Sequence, residues 1–195
     1  MTKRYISIFA LALGLLLGTS AAMAEGPELP DAGTNLRDTA SLQRGAHIFF
    51  NYCVGCHSLK YLRYERIADD LGLSEDEVMK NLNFTGGKFG DPVISHMPPD
   101  DAQKFFGKAP PDLSLEVSAK GANWVFAYLN SFYLDPKSPI GWNNTVLPNA
   151  AMPFPLWELQ GVQVPVMKPA KAGDDPEIEK LALLHPGKLS PAEYQ

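Results

Sequence analysis

Asn51-Tyr52-Cys53-Val54-Gly55-Cys56-His57-Ser58-Leu59 is the stretch on which the reading of this chain turns. Its centre matches the C-x-x-C-H pattern of covalent haem attachment. Two thiols on one helical turn reach the two vinyl groups of a porphyrin, and the adjacent imidazole then points at the iron. Cys53 and Cys56 are therefore the candidate attachment residues for one haem c, and His57 is a candidate axial ligand. Other uses of paired cysteines fit less well. A thioredoxin-like redox pair wants a βαβ context, which the helix and loop patterns around it do not give. A zinc site would need two more ligands from among His47, His57, His96 and His185, with no second paired spacing to supply them. A disulfide across two intervening residues would explain neither His57 nor the surrounding aromatics.

Upstream of the motif, Leu42, Ala46, Phe49, Phe50 and Cys53 recur at helical spacing, so residues 41 to 53 read as an amphipathic helix with Ser41 as N-cap. Downstream, Tyr64 to Leu71 reads as a short helix stopped by Gly72. Ser74 to Leu82 reads as another, opened by the capping box Ser74-Glu75-Asp76-Glu77. Asn83 to Pro111 is rich in glycine and proline and has no sustained period, which predicts a long loop. Ala122 to Phe132 carries Trp124, Val125, Tyr128, Leu129 and Phe132 on one face and predicts a helix. Beyond Asp135 the prolines at 136, 139, 148, 153, 155 and 165 predict loop to the end, apart from a helix-like piece at Pro176 to Leu184. The expected fold is mainly α: a c-type cytochrome domain with long proline-rich loops around one covalently bound haem.

A second axial ligand would decide the chemistry, because a thioether, an imidazole and an open position lead to different reactions. Met79 lies in a predicted helix, where an apolar side chain usually serves the core, and Met167 lies late in an irregular tail. Met97 and Met152 both precede proline, and local sequence does not separate them. Stiffening by Pro148, Pro153 and Pro155, with Trp142, Phe154 and Trp157 available to wall a dry crevice, favours Met152. His47 and His96 are the imidazole alternatives. An iron-bound His57 should also donate its other ring N–H to an acceptor. Pro110 and Pro111 offer carbonyls in a rigid stretch that has no N–H donors of its own.

The 195 residues are 45% hydrophobic and 20% charged, ordinary for one globular domain. Lys3 and Arg4, the apolar run Tyr5 to Gly18 and the Ala22-Met23-Ala24 site have the form of a cleaved secretory signal over residues 1–24, and the apolar run is too short to span a bilayer. Residues 25–195 would then be a periplasmic domain, with 15 basic against 22 acidic residues. That balance disfavours nucleic acid and suits a basic protein partner.

Taken together, several stretches resemble the cytochrome c1 family, the haem subunits of ubiquinol:cytochrome c oxidoreductase (the bc1 complex). They are Arg44-Gly45 before the cysteine motif, Ala109-Pro110-Pro111-Asp112-Leu113-Ser114, Trp124 to Leu129, Gly141-Trp142-Asn143-Asn144, and Pro148-Asn149-Ala150-Ala151-Met152-Pro153. The resemblance implies Met152 as axial methionine and Lys120 near a haem propionate. It also implies a one-electron relay from a Rieske iron–sulfur protein to a soluble or membrane-bound cytochrome c, alongside cytochrome b, at the periplasmic side of the bacterial inner membrane. No substrate chemistry of the chain's own is implied. The family continues into a C-terminal helix and a membrane anchor, and Ser190-Pro191-Ala192-Glu193 reads as a helix start, so a longer natural polypeptide is expected. The alternative is a stand-alone periplasmic shuttle; a haem peroxidase would need an open sixth position.

Overall fold

The structure is a computed structural model that describes residues 29–169, 171 and 175–194; the expected signal segment lies outside them. Among the described residues it combines eight helices with three antiparallel strand pairs. No described helix is long and apolar enough to cross a membrane.

The first helix, α1 (Thr39–Tyr52), is capped by Asp38, whose carboxylate accepts the Ser41 N–H at 3.0 Å. Ser41 is thus inside the first turn rather than the cap, and the helix begins before the apolar periodicity that announces it. Its last turn closes on Cys53, whose N–H bonds the Phe49 carbonyl at 2.8 Å. The chain then turns through the cysteine motif into β1 (Leu59–Arg63). Next come α2 (Tyr64–Leu71), stopped by Gly72 in the left-handed region at φ +62°, and α3 (Glu75–Asn81). The capping box at α3 is formed: Ser74 accepts the Glu77 N–H, and Glu77 accepts the Ser74 N–H at 2.8 Å.

Residues 83–111 are not the uninterrupted loop that their composition predicts. They hold β2 (Pro92–Val93), which pairs with β1, and α4 (Pro99–Phe106). Pro99 opens α4 at a position where its missing N–H costs nothing, and Gly107 closes it in the left-handed region at φ +75°. Prolines and glycines that read as loop here are helix punctuation.

After α5 (Glu116–Lys120), α6 (Ala122–Asn130) ends short of the predicted Phe132. Phe132 instead enters β3 (Phe132–Leu134), fully buried and paired with β4 (Trp142–Asn144). The short α7 (Trp157–Gln160) leads into β5 (Gly161–Met167), which pairs antiparallel with β6 (Ile178–Pro186), and α8 (Pro191–Tyr194) follows. This hairpin overturns two expectations: that the chain is loop beyond Asp135, and that 176–184 is helix-like. Val162, Val164 and Val166 alternate at the period of a strand. Pro165 is tolerated because both strands of a two-stranded ribbon are edges. Ile178, Leu181 and Leu184 mimic a helical stripe, but the partner strand decides.

The core falls into two clusters. One gathers Phe50, Val54, Tyr64, Ile67, Ala68, Leu71, Val78, Leu82 and Val93, with Met79 packed against it. The other is built on Phe132, Phe154 and Leu156, with Tyr128, Trp142, Met152 and Tyr194 against it. α1 serves both, sending Ala46, Phe49 and Phe50 to the first, and Ile48 and Tyr52 to the second.

Segment 110–114 is strapped to the residues that follow the cysteine motif. Asp112 accepts the Lys60 N–H at 2.8 Å and the Ser114 N–H at 3.0 Å, and Leu113 N–H bonds the Ser58 carbonyl at 2.9 Å. Burial opposes ionisation of Asp112, but hydrogen bonds from Ser114 and Lys60 outweigh it and hold the carboxyl below the ordinary aspartate range. Its contribution to stability is therefore present above the unfolded pKa of ~3.9 and is lost as pH falls through the lower folded value. Asp112→Asn should make acid unfolding less steep below pH ~4; an unchanged acid profile would count against the staple.

The base of the β5–β6 hairpin makes a second demand. Gly161 has φ +98°, and a side chain there would overlap the His185 carbonyl and the Gly187 N–H. Gly161→Ala should cost ~2 kcal/mol or more, measured by denaturant unfolding.

Candidate functional site

Cys53 ends α1 as its C-cap, and the following turn is closed by Cys56 N–H and His57 N–H bonding the Cys53 carbonyl at 3.0 and 2.9 Å. One turn therefore carries both thiols and the imidazole. Both cysteines are unbridged and partly exposed. Burial, and then the neighbouring Cys56, push the Cys53 thiol up to about 11, and burial raises Cys56 as well. A redox dithiol works through a thiolate favoured near neutral pH, and these thiols are tuned the other way. Among the described residues no group of three or more His, Cys, Asp or Glu is placed to hold a metal ion.

His57 is only 8% exposed, and its Nδ1 lies 2.8 Å from the Pro111 carbonyl. The carbonyl can only accept, so Nδ1 carries the proton and donates. In the neutral imidazole this leaves Nε2 as the acceptor nitrogen, and it has no hydrogen-bond partner among the described residues. This is the tautomer that a metal-ligating imidazole requires. Pro111 can be so placed because the strap described above fixes residues 111–114 against 58–61.

Ser95 holds a second segment against the same turn: its hydroxyl donates to the Gly55 carbonyl at 2.8 Å, and its N–H donates to Ser58 Oγ at 2.9 Å. The Met97 N–H in turn bonds Ser95 Oγ at 3.2 Å. Met97 thus belongs to the strap around the cysteine turn, beside the exposed His96. His47 is exposed on α1, its carbonyl accepting from the Asn51 amide at 2.8 Å.

Met152 comes from a different element, the loop between β4 and α7, and packs against the second cluster with Tyr52 and Ile48 of α1. Phe154 stacks on Phe132 with centroids 4.9 Å apart and meets Trp142 edge-on at 5.6 Å. Trp157 does not join this wall; it is 47% exposed and lines a groove of about 600 Å³ with Val162, His185 and Pro186. Lys120 is exposed, with Nζ 4.8 Å from the ring centroid of Trp124. Tyr194, on the last helix, packs on the second cluster, where burial and then the nearby Cys53 raise its pKa.

The donor set suits a covalently attached haem. Two thiols and a tautomer-fixed imidazole share one turn, and apolar clusters stand on both sides of the helix that carries them. Sequence reasoning did not find the Ser95 and Asp112 ties as parts of the site. A short polar residue beside proline was the only local signal for Asp112, and Ser95, between Ile94 and His96, gave none.

The sequence model described as the Cytochrome C1 family matches residues 33–163. A cytochrome c1 from Allochromatium vinosum is 48% identical over 94% of this chain and 77% of its own length. A protein named ammonia monooxygenase gamma subunit, from Nitrosomonas europaea, is 38% identical over 94% of this chain and 75% of its own. Cytochrome c1 of Rhodospirillum rubrum is 32% identical over 54% of this chain and 46% of its own. With the family match spanning most of the chain and the cysteine turn inside it, this protein belongs to the cytochrome c1 family.

Proposed function

We propose that this chain is the haem-bearing electron-transfer subunit of a bc1 complex, accepting one electron from a Rieske iron–sulfur protein and passing it to a cytochrome c. The observation that carries the reading is the cysteine turn with His57 Nδ1 committed to the Pro111 carbonyl. Cys53 and Cys56 would hold the single haem c of the family, and His57 Nε2 would face its iron. When bound, the haem would supply a one-electron couple, and ligation by methionine would raise its potential into the range of a high-potential Rieske donor.

Met152 is the methionine we assign. A second ligand would have to reach the iron from a direction that His57 does not take, which an element separate from the cysteine turn could supply. Met97 is tied to that turn through Ser95, whereas Met152 stands on the separate β4–α7 loop. Lys120 would meet a propionate by leaving its place over Trp124, as a point charge rather than a fork.

By the same family reading, residues 25–195 stand on the periplasmic side of the inner membrane beside cytochrome b, within a membrane-associated complex. The surface offered to a basic acceptor includes the exposed acidic residues of α2 and α3: Glu65, Asp69, Asp70, Glu75, Asp76 and Glu77. Asp70 is partly neutralised by Arg66 at 2.7 Å, and Glu77 is engaged in its capping box, so Glu65, Asp69, Glu75 and Asp76 are the freer charges. A stand-alone shuttle would use the same haem turn; association with Rieske protein and cytochrome b on purification separates the two.

Met152→Ala should keep the haem attached but lose the sulfur-to-iron charge-transfer band in the far red of the oxidised spectrum, while Met97→Ala keeps it. The opposite pattern would move the ligand to Met97. Electron transfer to the acceptor should slow as salt rises, because steering is screened over a Debye length of ~10 Å at 0.1 M. A rate independent of ionic strength would remove the steering role of the acidic helices.

A further inference from the structure

Around the β4–α7 loop the backbone is held by two adjacent asparagines that no part of the electron-transfer reading uses. Asn143 is 9% exposed and Asn144 is 1% exposed, and both are at the end of β4. Asn144 Oδ1 accepts the N–H groups of Val146 at 2.8 Å and Leu147 at 3.0 Å, and its amide donates to the Tyr128 carbonyl on α6 at 2.8 Å. Asn143 Oδ1 accepts the Asn144 N–H and, across the loop, the Asn149 N–H, each at 2.8 Å. Its amide donates to Asp135 Oδ2 at 2.9 Å, which fixes which end of the side chain faces the loop. Asp135 is itself oriented by the Lys137 N–H at 3.0 Å.

Asn149 is the only non-glycine residue with positive φ among the described residues, at +60°. Asparagine tolerates that region better than most residues, but it persists only where its surroundings impose it. Here the imposing contact is Asn143. Beyond Asn149 the loop runs through buried Ala150 to Met152, and then to Phe154, which is locked between Phe132 and Trp142. Both arms of the Met152 segment are therefore fastened to one hairpin, by a polar tie before the methionine and an aromatic stack after it.

We infer that Asn143 is a positioning residue for the thioether of Met152, acting through the Asn149 N–H and oriented by Asp135. The inference rests on Met152 being the second axial ligand. An iron–thioether bond is weak, so its occupancy depends on how narrowly the backbone confines the sulfur before the bond forms. Removing the Asn143 acceptor leaves two backbone N–H groups without their partner and frees the left-handed turn at Asn149.

The test uses the haem-loaded protein. Asn143→Ala should retain one covalent haem, weaken the far-red band, and raise the affinity of the oxidised haem for added imidazole by about tenfold, or ~1.4 kcal/mol. Asn143→Asp places two carboxylates together and should do the same. Asn143→Asp combined with Asp135→Asn reverses the direction of that side-chain bond while keeping an acceptor toward Asn149, and should return band and imidazole affinity to within about twofold of the original, well under 1 kcal/mol. If Met152→Ala abolishes the band while Asn143→Ala keeps both band and affinity, losing only thermal stability, the positioning role is wrong and the ligand assignment stands. If Met152→Ala leaves the band intact, the ligand reading itself fails. Should Asn143→Ala not mature with haem, the Asp variants decide: recovery in the double variant supports the inference, and equal behaviour of single and double overturns it.

Discussion

A hydrogen bond between residues 54 apart in sequence, from His57 Nδ1 to the Pro111 carbonyl, constrains the molecule more than any other contact at the site. An imidazole has two nitrogens, and the chemistry at one is decided by what the other does. Holding Nδ1 against a carbonyl requires residues 110–114 to lie across the chain that leaves the cysteine turn. That arrangement is what Asp112, Leu113 and Ser114 enforce through their bonds to residues 58–61. The β1–β2 pair and the Ser95 ties then close the other side of the same turn. Much of what looks like loop in this protein is bracing for one ring.

How much of the fold could be read in advance depended on whether its cause was local. Ser74 and Glu77 cap α3 within one turn, and Gly72 stops α2 where it stands, so both helices were legible. The start of α1 was placed at Ser41, three residues late, because only the folded backbone shows that the Asp38 carboxylate accepts the Ser41 N–H. The β5–β6 hairpin was missed for a non-local reason. Pro165 interrupts the valine alternation, and residues 178–184 carry a helical spacing that pairing with β5 overrides. In α4, Pro99 and Gly107 were counted as breakers when they are end signals.

The site divides in the same way. The cysteine turn was legible because its chemistry dictates spacing within five residues. A carbonyl from Pro110 or Pro111 was a natural acceptor because prolines bring no competing donor, and the fold pairs His57 with Pro111. Trp157 was expected beside Phe154 on aromatic character alone, yet α7 turns it outward. Asn143 and Asn144 gave no local signal, since their acceptors face N–H groups that only the folded loop presents.

The divided core carries a consequence of a mechanical kind. α1 is the beam that both apolar clusters bear upon: Phe49 and Phe50 load it from one side, and Ile48 and Tyr52 from the other. Its end is the cysteine turn, and the second cluster also carries the Met152 loop. With His57 and Met152 as the proposed ligands, a change of packing in either cluster would shift one mounting of the iron relative to the other, and the haem's colour and potential would act as a strain gauge on the whole domain. Substitutions far from any ligand, at Val78 or Phe132 for instance, would then be read optically before they are read as unfolding.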